Sequence, residues 1–124
     1  MNQKQTLTAG GLLGGVAVAI GAFGAHALKP MLIASGRLDA YETAVRYHFY
    51  HVFALLAVGI LMNQFTSKKL SYAAMFFLTG ILIFSGSLYA LCFTGIGILG
   101  AVTPIGGVLF ILGWLFLVLG ISSK

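Results

Sequence analysis

The sequence predicts an all-α fold, an integral membrane bundle of four antiparallel helices. Hydrophobic residues make up 60% of the 124 positions, charged residues make up only 7%, and the mean hydropathy is +1.04. Because soluble domains are typically about one-quarter charged, the solvent for this fold is lipid. Four apolar stretches, separated by polar or glycine-rich connections, are each long enough to cross a bilayer. We therefore expect a single membrane domain over residues 1–124.

The first predicted span covers about residues 7–28, which carry no charged side chain. A helix of this length crosses the hydrocarbon core at about 1.5 Å per residue. Its small residues recur at alternating three- and four-residue spacing, so they share one helix face and predict close packing against another helix. These positions are Gly10, Gly14, Ala17, Gly21 and Gly24, and Gly11 with Gly15 forms a second pair four residues apart.

A secretory signal peptide is the alternative interpretation of this first stretch. Lys4 precedes the apolar run, and Ala25-His26-Ala27 has the small-x-small pattern of a cleavage site. The apolar run is longer than the core of a usual signal peptide, so we expect a span that is retained.

An amphipathic connection over residues 29–44 is predicted to follow, because Pro30 ends the first helix and Ser35-Gly36 marks a turn. Asp39 is the expected N-cap of the second helix, and Glu42 three residues later would complete a capping box. The second span is expected over about residues 45–62. Glu42 and Arg46 are four residues apart on this helix and are therefore placed to form an ion pair.

The third and fourth spans are predicted over about residues 72–93 and 103–121. Thr103-Pro104 is the expected start of the fourth helix, since threonine caps helices and proline suits the first helical position. The helix then carries glycines at seven-residue spacing, which predict a smooth stripe against a partner helix: Gly106, Gly113 and Gly120. We interpret Trp114, near mid-span, as a packing residue.

Charge at the two ends of the bundle predicts its orientation. Four helices with short connections place both termini on one side of the membrane. That side carries four lysines and no acid, namely Lys4, Lys68, Lys69 and Lys124. The opposite side carries three cations, Lys29, Arg37 and Arg46, with the acids Asp39 and Glu42. The positive-inside rule then predicts that both termini are cytoplasmic.

The stretch from Tyr41 to His51 concentrates polar side chains at one end of the second span. Counting depth along the helices places all three histidines in the same leaflet. Ionisable side chains in lipid are costly unless they face the bundle interior, pair, or meet water, so this cluster is the candidate site. Its members are His26, Glu42, Arg46, Tyr47, His48, His51, Ser85, Ser87 and Tyr89.

Three functions compete for this cluster. Three imidazoles could bind a metal ion or haem iron, but the sequence has no His-Glu-x-x-His motif and no cysteine set beside the single Cys92. Proton or ion conduction would need a carboxylate near the middle of the membrane to carry the proton or ion, and none is predicted there. The favoured interpretation is interhelical hydrogen bonding in a noncatalytic accessory or scaffold protein.

No nucleophile and base at recognisable spacing, phosphate loop or enzymatic carboxylate pair occurs in the sequence. We therefore expect no enzyme activity and no cofactor. The expected partners are the lipid bilayer and either a second copy of the chain or another membrane protein, and no nucleic acid.

Four segments of the chain carry a family resemblance. They are Gly21-Ala22-Phe23-Gly24-Ala25-His26-Ala27-Leu28, the stretch from Tyr41 to His51, Phe84-Ser85-Gly86-Ser87-Leu88-Tyr89, and Thr103-Pro104-Ile105-Gly106-Gly107. Together they resemble the small membrane proteins of the domain-of-unknown-function 423 family, whose animal members are called transmembrane protein 256. The resemblance covers essentially the whole chain and implies a four-helix integral membrane protein, in bacteria of the inner membrane, with no established activity.

The same resemblance bears on the histidines. It places His26, His51, Ser85 and Thr103 at motif positions, whereas at position 48 the family often carries glutamine. That difference weakens a metal site built from three histidines and leaves His26 and His51 as the pair to test.

Overall fold

The computed structural model describes residues 1–122, which form an antiparallel bundle of long helices. The all-α prediction is confirmed. Four candidate membrane spans, identified by length and composition, cover Gln3–Ala25, Leu38–Leu61, Lys68–Thr94 and Leu99–Ser122. The elements are α1 (Gln3–Ala25), the short α2 (Lys29–Ala34), α3 (Leu38–Leu61), α4 (Lys68–Gly80), a π-helical segment (Ile81–Ser85), α5 (Gly86–Thr94) and α6 (Leu99–Ser122).

The start of α3 differs from the prediction. The helix begins at Leu38 with Arg37 as its N-cap residue, two residues before the start that Asp39 as N-cap predicts. Gly36 takes a positive φ of 70°, which lets the chain turn within a few residues and start α3 early. Asp39 therefore lies in the first turn, where the helix dipole favours its charge, and the predicted capping box with Glu42 is wrong.

The ends of α1 also differ from the prediction. The helix begins at Gln3, before the predicted start at about residue 7. A capping box forms there, in which the backbone N–H of Gln5 donates to Oδ1 of Asn2 over 2.8 Å. At its other end the helix stops at Ala25, and Pro30 lies in the first turn of α2 instead of ending α1. Proline fits there because the first turn of a helix needs no internal N–H donor.

The predicted start of α6 at Thr103-Pro104 is wrong, because the helix begins at Leu99 and Pro104 lies inside it. Gly95, with φ of 71°, ends α5 and turns the chain sharply, so only residues 95–98 connect the two helices. Thr103 does not cap a helix; its hydroxyl oxygen lies 3.3 Å from the Leu99 carbonyl oxygen and 2.6 Å from the Ser87 hydroxyl oxygen.

Close packing at glycines holds the bundle together. On α1, four glycines lie against side chains of α3: Gly10 against Leu56, Gly14 against Val52, Gly21 against Val45 and Gly24 against Tyr41. On α6, three glycines lie against the third span: Gly106 against Phe84, Gly113 against Phe77 and Gly120 against Leu70. By contrast, nothing within the described residues lies within 4 Å of a methyl group placed at Gly11 or Gly15. The main core of the described residues is formed by α3, the third span and Phe110 of α6.

Candidate functional site

Side-chain hydrogen bonds join all four spans in the half of the bundle that holds the start of α3. We call this set the polar layer. It comprises Tyr41, His48, His51, Ser85, Ser87, Tyr89, Thr103 and Trp114. Six of the eight side chains are buried, Tyr89 is partly buried, and Trp114 is 45% exposed. Polar groups in lipid need partners, and here most of the partners come from another helix.

His51 makes a hydrogen bond with each ring nitrogen. Its Nδ1 lies 2.7 Å from the carbonyl oxygen of Tyr47, and its Nε2 lies 3.1 Å from Nε1 of Trp114. A carbonyl oxygen can only accept and an indole N–H can only donate, so the imidazole is neutral with its proton on Nδ1. The ring also stacks on Phe110, with centroids 3.5 Å apart and planes 7° apart. His51 is therefore held in one tautomer and one orientation.

His48 is only partly satisfied. Its Nδ1 lies 2.9 Å from the hydroxyl oxygen of Tyr89 on α5. Its Nε2 is buried, the residue being 2% exposed, and has no hydrogen-bond partner among the described residues. One buried polar atom of the layer thus has no protein partner among the described residues.

Two serines on the third span face opposite neighbours. Ser85, at the end of the π-helical segment, donates to the carbonyl of Ala44 on α3 over 2.7 Å. The hydroxyls of Ser87 and Thr103 lie 2.6 Å apart and join α5 to α6. Residues two apart on a helix point in nearly opposite directions, so this pair ties the third span to both α3 and α6.

The nine side chains predicted as one cluster separate into a group of five, the pair of Glu42 and Arg46, and two single residues, Tyr47 and His26. His48, His51, Ser85, Ser87 and Tyr89 belong to the polar layer. Glu42 and Arg46 lie at its mouth, 51% and 53% exposed, and form an ion pair of 3.9 Å. Tyr47 contributes its carbonyl and stacks its ring on Phe84, while its hydroxyl has no hydrogen bond among the described residues.

His26 lies apart from the other histidines. It is the exposed C-cap residue of α1 and lines a surface groove on the outer side of that helix. Within residues 1–122, no three His, Cys, Asp or Glu side chains come together in a way that could hold a metal ion. The chain's two acidic side chains, Asp39 and Glu42, are both exposed, so neither lies in the polar layer.

Three members of the polar layer were not predicted as site residues. Tyr41 donates to the carbonyl of Ile20 on α1, Thr103 was expected to be a helix cap, and Trp114 was interpreted only as a packing residue. For Trp114 the sequence does hold a signal. An indole N–H within an apolar helix needs a hydrogen-bond partner, but only the folded chain identifies that partner as His51.

Comparisons with known proteins agree with this architecture. The family model described as "Protein of unknown function (DUF423)" matches residues 20–107. A UPF0382 membrane protein of Staphylococcus saprophyticus is 48% identical over 117 residues, covering 94% of this chain and 96% of its own length. The UPF0382 membrane protein YwdK of Bacillus subtilis is 43% identical over 104 residues, covering 83% of this chain and 84% of its own length. No solved structure matches the chain.

The four apolar helices and the relatives named as membrane proteins show that this is a multi-pass integral membrane protein. The family resemblance in the sequence is confirmed by the family model, which spans most of the chain. This protein therefore belongs to the DUF423 family.

Proposed function

We propose that this protein is a noncatalytic accessory or scaffold protein whose outer α1 face packs against a transmembrane helix of a second copy or of another membrane protein. The observation that carries the proposal is a stripe of small, exposed residues on that face. The stripe consists of Gly11, Gly15, Ala19 and Ala22.

The two faces of α1 support this assignment. The inner glycines already lie against α3, so they are not available to a partner. The outer stripe repeats the same three- and four-residue spacing, and a methyl group at Gly11 or Gly15 would meet nothing within the described residues. Small residues at this spacing let a second backbone approach closely in lipid, where helix association depends on van der Waals packing. An apolar groove of about 330 Å³, lined by Ala19, Ala22, Phe23, His26 and Ala27, continues the stripe.

The polar layer supports a noncatalytic role. Both nitrogens of His51 are engaged, and the hydroxyls of Ser85 and Ser87 bind backbone or Thr103. No carboxylate reaches the layer to act as an acid or base. These hydrogen bonds orient the helices, which is the usual role of polar side chains between membrane helices.

We also propose that the protein lies in the cell inner membrane with both termini in the cytoplasm. Lys4, Lys68 and Lys69 lie at the end of the bundle that holds the N-terminus, and both acids lie at the other end. This asymmetry supports the orientation under the positive-inside rule. Lys124, which entered the prediction, lies outside the described residues.

The proposal is tested by blocking the stripe. Ala19→Leu places a large side chain on it, and Ala57→Leu makes the same change at an exposed position of α3. We expect Ala19→Leu to abolish self-association in lipid nanodiscs, or co-purification of a specific partner from native membranes in mild detergent, while Ala57→Leu preserves it. A protein that is monomeric and partner-free before any substitution would contradict the proposal.

A small-ligand, metal, haem or proton-handling function is the second candidate, and the open Nε2 of buried His48 favours it. Metal analysis and a visible spectrum of the purified protein test the metal and haem forms. Proton flux in liposomes, measured for the unaltered chain and for His26→Ala, His48→Ala and His51→Ala, tests the transport form. Stoichiometric metal, visible absorbance or a flux that these variants lose would favour this candidate over the scaffold.

A further inference from the structure

A charged groove lies between the end of α1 and the start of α3, away from the outer α1 stripe. It has a volume of about 290 Å³. Three charged side chains, Lys29, Glu42 and Arg46, line it, and we call them the rim. The other lining residues are Gly21, Gly24, Ala25, Leu38, Tyr41 and Val45. The groove thus offers both apolar surface and charged side chains to a ligand.

The rim carries more positive than negative charge. Lys29 and Arg46 supply two positive charges and Glu42 supplies one negative charge, which leaves a formal net charge of +1. The Lys29 ammonium has no hydrogen bond or ion pair within the part of the chain that the structure describes. Arg46 has one hydrogen bond, from Nη2 to Oγ1 of Thr43 over 3.2 Å, and its contact with Glu42 is a long 3.9 Å. Most guanidinium donors are therefore free to bind an anion.

The depth of the groove indicates the kind of anion. Arg46 lies about two turns inside α3, at the level where an arginine in a membrane helix extends to the interface. Lipid phosphate is the main anion of the membrane interface, and a guanidinium binds phosphate oxygens with two parallel hydrogen bonds. The rest of the lining, which includes Ala25, Leu38 and Val45, offers apolar surface to an acyl chain beside the helix.

We propose that this groove binds one anionic glycerophospholipid, with its phosphate on Arg46 and Lys29 and one acyl chain against Ala25 and Val45. The site does not use the outer α1 stripe, so it stands whether or not the scaffold proposal does. Charge complementarity favours this lipid over a zwitterionic one, because the rim retains a positive charge after Glu42 is counted.

Native mass spectrometry of the full chain tests the proposal with phosphatidylglycerol and phosphatidylcholine of identical acyl chains. We expect a preference for phosphatidylglycerol, which Lys29→Gln or Arg46→Gln weakens by about fivefold each. Glu42→Gln should strengthen binding by a similar factor, a change that a misfolded protein could not produce. Lys4→Gln removes a cation at the other end of the bundle and should have no effect. Equal losses for Lys4→Gln and Arg46→Gln, or no preference between the lipids, would overturn the site.

Two further measurements separate a lipid from a free anion. Ala25→Leu fills the groove without changing charge, and it should weaken phosphatidylglycerol binding, whereas Ala101→Leu, exposed at the same end of the bundle, should not. Inorganic phosphate in excess should fail to displace the lipid. Displacement by phosphate alone, or full binding by Ala25→Leu, would show that the rim binds a soluble anion and would overturn the lipid assignment.

Discussion

The indole N–H of Trp114 donates to Nε2 of His51 over 3.1 Å, and it fixes the only histidine in the bundle interior whose two nitrogens are both bound within the described residues. The tautomer follows from the partners alone, because indole nitrogen cannot accept and carbonyl oxygen cannot donate. The Trp114 side chain on α6, together with the Tyr47 carbonyl, thereby determines the tautomer of His51 on α3.

Removing this donor should destabilise the bundle. Trp114→Phe keeps an aromatic ring but leaves Nε2 of the buried His51 without a partner, so we expect the free energy of unfolding in detergent to fall by about 0.5–2 kcal/mol. A double-mutant cycle with His51→Phe isolates the pair, and the double variant should lose less than the sum of the single losses. Strictly additive losses would show that the hydrogen bond contributes nothing.

The hydroxyl of Tyr89 should matter because it is the only hydrogen-bond partner of His48 within residues 1–122. Tyr89→Phe leaves a buried imidazole with no partner, and we expect a loss of about 1–3 kcal/mol in unfolding free energy. Adding His48→Leu removes the orphaned polar group and should restore part of that loss. Tyr50→Phe, at a tyrosine 54% exposed, is the matched control and should leave the unfolding temperature unchanged. A double variant less stable than Tyr89→Phe alone would contradict this account.

Two adjacent glycines on α6 should respond oppositely to alanine. A methyl group at Gly106 would overlap the backbone nitrogen of Phe84 and lie 2.7 Å from its Cα, which no side-chain rotation relieves. We expect Gly106→Ala to lose about 1–3 kcal/mol or to fail to fold. At Gly107 the nearest atom would be 3.9 Å away, so Gly107→Ala should be neutral or gain up to about 1 kcal/mol from helix propensity. Thermal unfolding in detergent measures both, and equal effects would disprove the predicted close contact.

Single cysteines report the proposed orientation. In a Cys92→Ala background, Asn63→Cys lies between α3 and α4, and Ser35→Cys lies between α2 and α3, both at exposed positions. A membrane-impermeant maleimide applied to intact spheroplasts should label Ser35→Cys, and it should label Asn63→Cys only after permeabilisation. The reverse pattern would invert the orientation, and labelling of both from one side would contradict the antiparallel bundle.

The pattern of apolar, charged and glycine residues along the sequence predicts much of the fold. Four long uncharged stretches predict four spans because only a helix satisfies every backbone group in lipid. Glycine spacing also predicts which face of α1 packs against a neighbour, because residues three or four positions apart lie on the same side of a helix. These glycines are Gly10, Gly14, Gly21 and Gly24. Helix ends are less predictable. Thr103-Pro104 has the form of a helix start, yet α6 begins four residues earlier, because the sharp turn at Gly95 already redirects the chain.

The sequence by itself determined that this is a membrane protein with four segments able to span a bilayer. It also predicts a depth for each polar side chain. Depth follows from counting residues along a helix. Only the tertiary structure decided which polar side chains meet. His26 shares a leaflet with His51 by depth but points outward from α1, whereas Trp114, 63 residues beyond His51, completes its hydrogen bonds. Packing between segments that are distant in the sequence determines how each helix is rotated about its axis and which helices it contacts. Neither can be predicted from the pattern of residues within one helix.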